Sequence, residues 1–397
     1  MTKLINLKIF MHFFRSSSAG GIFLIISLLV SLLIANSGWS EGFKEILNFK
    51  LGFNAAWVHL QYPIVLWIND GLMAVFFLLV GLEIKREVIE GELSSFSHAA
   101  LPVLAAVGGV VVPAFIYAFF NSADPVAAKG WGIPMATDIA FALGILSLLG
   151  SRVPSGLKIF LAALAIVDDL IAILVIALFY SSELNFIYLG YAGALFVLLI
   201  AFNRAGIKNL LFYLLPGIII WYFIHHSGIH ATIAGVLVAM TVPTNEDDTE
   251  SPLEKLEHFL TRPVNFFIMP IFALANTNIT FESAMIEGLV SNLGLGIMLG
   301  LFLGKPIGIF AMSWLSVKLK IAELPESVSW AHVLGLGLLG GIGFTMSIFI
   351  ALLSFEDPLL QNGAKFAILA ASTLAGILGY CILSLYNKRK SRTFQER

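Results

Sequence analysis

Charge and cysteine are what this chain of 397 residues has least of. Charged residues make up 12% of it and hydrophobic ones 58%, which is about half the charge density of a soluble domain. That is far more apolar side chain than one water-facing core can bury, so a bilayer is the natural solvent. The formal net charge of −2 gives no reason to expect nucleic acid or an acidic polymer as a partner. A single cysteine, Cys381, excludes an intrachain disulfide and argues against a cysteine-based metal site. Inside its apolar run it reads as a small, inert hydrophobe. The N-terminus does not read as a cleaved export signal, because the first long apolar run starts only after Arg15 and further runs follow it. Met1 to Phe14 reads as a short basic amphipathic segment lying on the membrane surface.

What the chain has in plenty is apolar stretches near the length that crosses roughly 30 Å of hydrocarbon. They begin near Ala19, Pro63, Ala99, Gly130, Leu157, Phe186, Leu210, Gly228, Pro263, Asn292, His332 and Ala364, which predicts about twelve spanning helices. Boundaries are soft between Leu210 and Val242, where Trp221 to Ser227 reads as either a turn or continuous helix. Lys and Arg should gather in alternate, cytoplasmic loops. With both termini inside, only Lys44, Lys50, Lys129 and Lys365 fall outside, and Lys305 alone sits within a span, the tenth. The longest outer loop, Ile46 to Val58, alternates apolar and polar residues from Leu47 to Gly52 and holds a Gly-Phe-Asn turn candidate. It reads as a short β-hairpin or as a plain exposed loop.

Two spans carry helix breakers near their middle, Gly132 to Asp138 in the fourth and Gly340 to Thr345 in the eleventh. Both should unwind there. Unwound backbone at membrane depth is tolerated only inside protein or beside water, and the freed half-helix ends carry partial charges suited to holding ions. Sliding the first segment along the chain lays Pro134 on Gly340 and brings the fifth span onto the twelfth, near Lys365. The partners are an odd number of spans apart, so the copies, about residues 99–180 and 292–386, would be inverted in the membrane, with a site where the broken helices meet.

An ionised carboxylate in mid-bilayer needs a partner, a proton, a bound cation or water. Asp168 and Asp169 lie together half-way along the fifth span, Asp138 lies at the break of the fourth, and Lys305 is the obvious counter-ion. Adjacent helix residues project about 100° apart, so one of the pair can face Lys305 while the other faces a water-filled funnel. A pair that holds protons by turns with a small hard cation is an exchanger, and carboxylate and carbonyl oxygens suit such cations. The bland alternative is a buried ion pair that orders helix packing. It suits Asp138, which can satisfy itself on freed backbone beside Thr137, better than it suits two consecutive mid-span aspartates.

Seven segments carry a resemblance that runs nearly end to end: WINDGLMAVFFLLVGLEIKRE (Trp67 to Glu87), PMATDIAFALGIL (Pro134 to Leu146), LAIVDDL (Leu164 to Leu170), SGIHATIAGVL (Ser227 to Leu237), PLEKLEH (Pro252 to His258), LGKPIGI (Leu303 to Ile309) and GIGFTMSIFIA (Gly341 to Ala351). On these the chain resembles the NhaA family of bacterial sodium/proton antiporters, whose inverted repeats are well known. The resemblance implies an all-α, twelve-helix, inner-membrane antiporter that exports Na⁺ or Li⁺ for a larger number of external protons, without cofactor or nucleotide. It implies that Asp168 and Asp169 bind the transported cation and the protons, and that Lys305 pairs with Asp168. Asp138, Thr137 and Lys305 would balance the ends of the crossed broken helices. Activation as the cytoplasm turns alkaline would need a titrating sensor, for which Glu83, Glu87, Glu257 and His258 are inner candidates and His230 an outer one. Glu83 and Glu87, four apart beside Lys85 and Arg86, read equally as a solvated helix end. His225, His226 and His332 read as interfacial packing residues, and Asp70 as a helix-start or outer-vestibule group. The outer loop, as a hairpin, would pair two copies into a homodimer.

Two other classes compete. An intramembrane aspartyl protease holds two aspartates on different helices facing one another, for which Asp138 and Asp168 are the candidate dyad. A cation channel favours symmetric rings of ligands.

Overall fold

The computed structural model describes residues 17–55, 58–181, 184–245, 250–281 and 283–395. The surface segment expected at Met1 to Phe14 lies outside them. The helices are α1 Ser17–Ala35, α2 Ser40–Asn48, α3 Ile64–Ile89, α4 Phe96–Asn121, α5 Ile139–Leu148, α6 Ser155–Phe179, α7 Phe186–Arg204, α8 Leu211–His226, α9 Ile233–Thr241, α10 Pro252–Asn276, α11 Ser283–Gly288, α12 Asn292–Lys318, α13 Trp330–Gly340, α14 Phe344–Ser354 and α15 Pro358–Gln395. A 3₁₀ segment, Ala127–Met135, precedes α5. Among the described residues 8 helical stretches are long and apolar enough to cross a membrane, or up to 10 if each bent pair is one span. Every apolar stretch read from the sequence has a helix, α8 and α9 being the short ones. Helix is what an apolar run must form in lipid, since it satisfies each backbone N–H and C=O within the segment.

Three of these helices contain a π turn: Trp67–Leu72 in α3, Val264–Ile268 in α10 and Gly300–Gly304 in α12. No sequence feature had pointed to them. The π turn of α12 ends immediately before Lys305 and so sets the direction in which that side chain leaves the helix.

Two compact units make up the chain. The first holds Met1–Ser27, Ser95–Asp168 and Phe281–Arg397. In it α4 and α12 cross at Gly108 and Gly308, so closely that a Cβ on either would run into the other's backbone carbonyl. Such crossings of small residues are a usual way for membrane helices to gain packing contacts. Gly300 rests on the Pro134 ring, which seats the 3₁₀ segment against the π turn. Both interruptions read from the sequence are present: Ala136–Asp138 lies between the 3₁₀ segment and α5, and α13 meets α14 at a bend of 45° across Gly341–Gly343.

The second unit holds Leu28–Ser94 and Asp169–Thr280. There Gly81 of α3 and Gly235 of α9 allow close packing, and Lys85 Nζ donates to the carbonyls of Met240 and Val242 at 2.8 and 2.5 Å. That ammonium covers the negative end of α9. Asn69 and Asn276 exchange reciprocal amide hydrogen bonds of 3.2 and 2.7 Å between α3 and α10.

Three expectations about boundaries change. The hairpin is real but lies later than Ile46 to Val58, because Ser40–Asn48 is helical. Its strands β1 Lys50–Leu51, β2 Asn54–Ala55, β3 Val58–His59 and β4 Tyr62–Pro63 pair β1 with β4 and β2 with β3 in one continuous register. The Gly-Phe-Asn candidate is therefore a kink within an arm, where Gly52 takes φ 118° and its missing Cβ makes room for the Leu60 carbonyl. The tip, Ala56 and Trp57, lies outside the described residues. Second, Trp221 to His226 continues α8, and the turn follows at Ser227–Thr232. Third, Lys365 is not in a loop: the last helix starts at Pro358, and Lys365 lies two turns inside it, 8% exposed.

Candidate ion-binding site

The breaks expose polar backbone in the first unit, and side chains from several helices answer it. Asp138 is the N-cap of α5, its Oδ1 accepting from the Phe141 N–H at 3.0 Å. Its Oδ2 accepts from the Thr345 N–H at 3.2 Å and from the Thr345 hydroxyl, at the start of α14. One carboxylate thus caps two helix N-termini, each carrying a partial positive charge. Its own N–H donates to the Ile342 carbonyl at 2.7 Å, and Ser347 Oγ donates to the Ile133 carbonyl at 2.7 Å. These bonds stitch the two breaks together. Ser372 Oγ on α15 accepts from the Phe344 N–H at 3.2 Å, taking a further orphan donor.

Asp168, on α6, is held differently. Lys305 Nζ donates to its Oδ2 at 2.6 Å and also to the Met135 carbonyl, at the end of the 3₁₀ segment. Thr137 Oγ1 lies 2.6 Å from the same Oδ2 and 2.9 Å from the Gly340 carbonyl, the last of α13. A hydroxyl has one proton, so Thr137 donates to only one of these acceptors at a time. Lys305 is fully buried, and Asp168 is 1% exposed. The other oxygen, Asp168 Oδ1, is buried and has no hydrogen-bond partner among the described residues. A carboxylate oxygen with free lone pairs is a cation ligand in waiting, since burial without a partner is costly. Asp169 begins the stretch of α6 assigned to the second unit and is also buried, 3% exposed.

The structure therefore brings Asp138, Thr137, Asp168 and Lys305 into one connected group. Sequence reasoning missed Thr345, Ser347 and Ser372 and the carbonyls of Met135 and Gly340. Only the position of Thr345 and Ser347 just after a run of glycines could have suggested them. No hydrogen bond joins Asp138 to Asp168 among the described residues, so the two do not share a proton as a protease dyad would. Among the described residues no three His, Cys, Asp or Glu side chains converge.

The candidate sensor residues fall into two places in the second unit. Arg86 Nε lies 3.3 Å from Glu257 Oε2 and its Nη2 3.0 Å from Glu87 Oε1, linking α3 to α10. Glu83 lies within electrostatic range of Glu257, Arg86 and Glu87, and His258 within range of Glu257. His258 itself pairs with Glu250 at 3.0 Å in an exposed position. Glu87 also accepts from the Glu92 N–H at 3.0 Å, just beyond the end of α3. His230 is elsewhere: its Nε2 lies 3.7 Å from Asp70, thirteen residues, about 20 Å along a helix, before Glu83. Asp70 lies closer to His225, whose Nδ1 is 3.0 Å from its Oδ2, so His225 makes a polar contact and is not merely a packing residue.

Comparison with known proteins places the chain in a family. Residues 11–383 match the family described as Na⁺/H⁺ antiporter 1. The chain is 75% identical over 390 residues to the Na(+)/H(+) antiporter NhaA 2 of Flavobacterium johnsoniae, covering 98% of this chain and 96% of that one. It is 48% identical over 391 residues to NhaA 1 of Brucella anthropi, 97% of each chain, and 49% identical over 382 residues to NhaA 1 of Klebsiella pneumoniae, 96% of this chain and 97% of that one. With a family match over residues 11–383 and relatives matched over nearly its whole length, the chain belongs to the Na⁺/H⁺ antiporter 1 family.

Proposed function

We propose that this multi-pass membrane protein exchanges Na⁺ for protons at Asp168 and Asp169, by alternating access to the two sides of the membrane. It is a transporter, not an enzyme. The observation that carries the site assignment is the divided state of Asp168, with one oxygen held by Lys305 and Thr137 and the other bare.

The exchange follows from charge accounting. With Asp168 and Asp169 ionised and Lys305 protonated, the group carries one net negative charge in a low-dielectric interior. That state is costly to carry across. A bound Na⁺ neutralises it, ligated by Asp168 Oδ1 and the Asp169 carboxylate, and Li⁺ has the same hard-oxygen preference. One proton neutralises it too, and a second proton, taken by the other carboxylate, leaves the group at +1, so that more protons than cations pass per cycle. Na⁺ and protons compete for the same oxygens, so one is carried each way, and the extra proton makes the exchange electrogenic. Thr137 supports the cycle because its single proton can serve Asp168 or Gly340.

The Glu83, Arg86, Glu87, Glu257 and His258 group is the pH-sensing element, with His230 and Asp70 a separate group. The order α4 to α6, repeated as α12 to α15 with a break in each copy, supports inverted repeats over about residues 99–180 and 292–386. The distribution of Lys and Arg supports an inner-membrane protein with both termini in the cytoplasm. Phe49, Leu51 and Phe53 of the hairpin are 63%, 53% and 61% exposed, a surface suited to pairing two copies into a homodimer. Crosslinking at the hairpin tests the dimer.

The decisive assay is Na⁺-driven or Li⁺-driven dequenching of a pH dye in inside-out vesicles. Dequenching that needs the cation and no ATP supports exchange. A dye that stays quenched on Na⁺ addition at every pH, or a Na⁺ current without proton movement, overturns it in favour of no transport or of a channel.

A further inference from the structure

Helix α13 carries at its C-terminal end the Gly340 carbonyl that lies 2.9 Å from Thr137 Oγ1. What holds the other end of α13 is His332, fully buried and one turn from the exposed Glu326–Ser327 loop. The Ser329 N–H donates to His332 Nδ1 at 3.1 Å, Ser329 Oγ lies 3.1 Å from the same nitrogen, and Nε2 lies 3.0 Å from Asn387 Oδ1 on α15. A backbone N–H can only donate, so Nδ1 carries the lone pair and Nε2 carries the proton. Both ring nitrogens are used in opposite senses, and the neutral imidazole in this tautomer satisfies both bonds.

Protonation puts a donor at Nδ1 facing the Ser329 N–H. The imidazolium keeps Ser329 Oγ as an acceptor, but the backbone bond that caps the first turn of α13 is lost and a charge is created in a buried place. The Tyr386 ring of α15 stands edge-on to the imidazole at 4.9 Å, and Phe310 of α12 packs on the neighbouring Trp330. Of the charged residues, Glu323 and Glu326 precede this turn along the chain and Lys388, Arg389 and Lys390 follow Asn387.

We propose that His332 is a positioning residue whose neutral ring locks α13 to α15 and so sets the Gly340 carbonyl against Thr137. Taking up a proton releases the cap and lowers exchange as the pH falls. Eight residues of helix, about 12 Å, separate His332 from Gly340, so the effect travels along one short rigid element. This places a second pH-responsive element in the first unit, apart from the Arg86 and Glu257 group of the second. It rests on the antiporter reading.

The test compares pH profiles of Na⁺-driven dequenching for wild type, His332→Gln and Asn387→Asp in inside-out vesicles, with protein amounts matched by immunoblot. Gln accepts from the Ser329 N–H as His332 does but does not titrate, so His332→Gln should move half-maximal activity to lower pH by about half a unit. Asn387→Asp places a carboxylate where an imidazolium is favoured, and should move it the opposite way. A profile for His332→Gln that overlays wild type, a uniform loss at all pH values, or shifts of both variants in one direction would overturn the proposal. If His332→Gln fails to accumulate, the direction of the Asn387→Asp shift decides alone. Exchange by wild type at alkaline pH tests the antiporter reading separately, whatever the variants do.

Discussion

Two buried carboxylates of the first unit, at the break of the fourth span and at the middle of the fifth, have similar burial and opposite economies of hydrogen bonding. Asp138 accepts from Phe141 through one oxygen and from the backbone and hydroxyl of Thr345 through the other. Asp168 gathers Lys305 and Thr137 on one oxygen and leaves the other bare. The first is saturated by helix ends and has little left to offer a cation. The second is half-committed, which is the condition for binding something that must also leave. Burial alone therefore does not separate the two carboxylates; the way their oxygens are engaged does.

The sharpest way to break that contrast is to neutralise the carboxylates one at a time. Asp168→Asn and Asp169→Asn should each reduce Na⁺-driven dequenching below about 1% of wild type, because an amide cannot take the place of a charge that must be alternately neutralised by Na⁺ and protons. Normal activity in either would remove that residue from the site. Next in size is Lys305→Met, which leaves Asp168 without its counter-charge and should cost about 3–5 kcal/mol of stability. Thermal unfolding in detergent should show the double variant Asp168→Asn/Lys305→Met to be more stable than Lys305→Met alone; an additive loss would contradict the pairing. Asp138→Asn should act more mildly. It weakens charge-assisted bonds worth about 1.5–3 kcal/mol, expected as roughly a tenfold loss of transport. If Asp138→Asn were as inactive as Asp168→Asn, the distinction between capping and ligand carboxylates would fail. Smallest of all, Glu83→Gln and Glu87→Gln should move the pH of activation by about half a unit and leave the maximal rate within about twofold. An unchanged profile would take them out of the sensor.

Much of the site was legible because lipid is an unforgiving solvent. A charge or a helix breaker inside an apolar run has no bland surroundings to hide in, so Asp138, Asp168, Asp169, Lys305 and the two breaks stood out by position. Lys365 shows where that reasoning slips. An apolar run beginning at Ala364 puts the lysine at the membrane edge, whereas the helix starts at Pro358 and buries it. His225 and His332 were read as packing residues because an apolar helix face does not reveal that Asp70 stands opposite the first, or that Ser329 and Asn387 engage the second. The hairpin showed in its alternation, but its ends did not: a helix through Asn48 took the residues counted as its first strand.

By itself the sequence determined that the chain crosses a membrane many times, that two spans break, that one carboxylate lies at a break, and that two more carboxylates and one lysine lie inside other spans. Those facts follow from hydropathy, backbone hydrogen bonding and the price of buried charge, all of which act locally along the chain. Only the tertiary structure decided which oxygen of which aspartate is engaged. That choice depends on a π turn directing Lys305, on glycines letting α4 and α12 approach, and on Thr345 arriving from a segment distant in sequence to claim Asp138. The carboxylate pair was visible from the start; what left Asp168 half-satisfied was the company the fold brings to it.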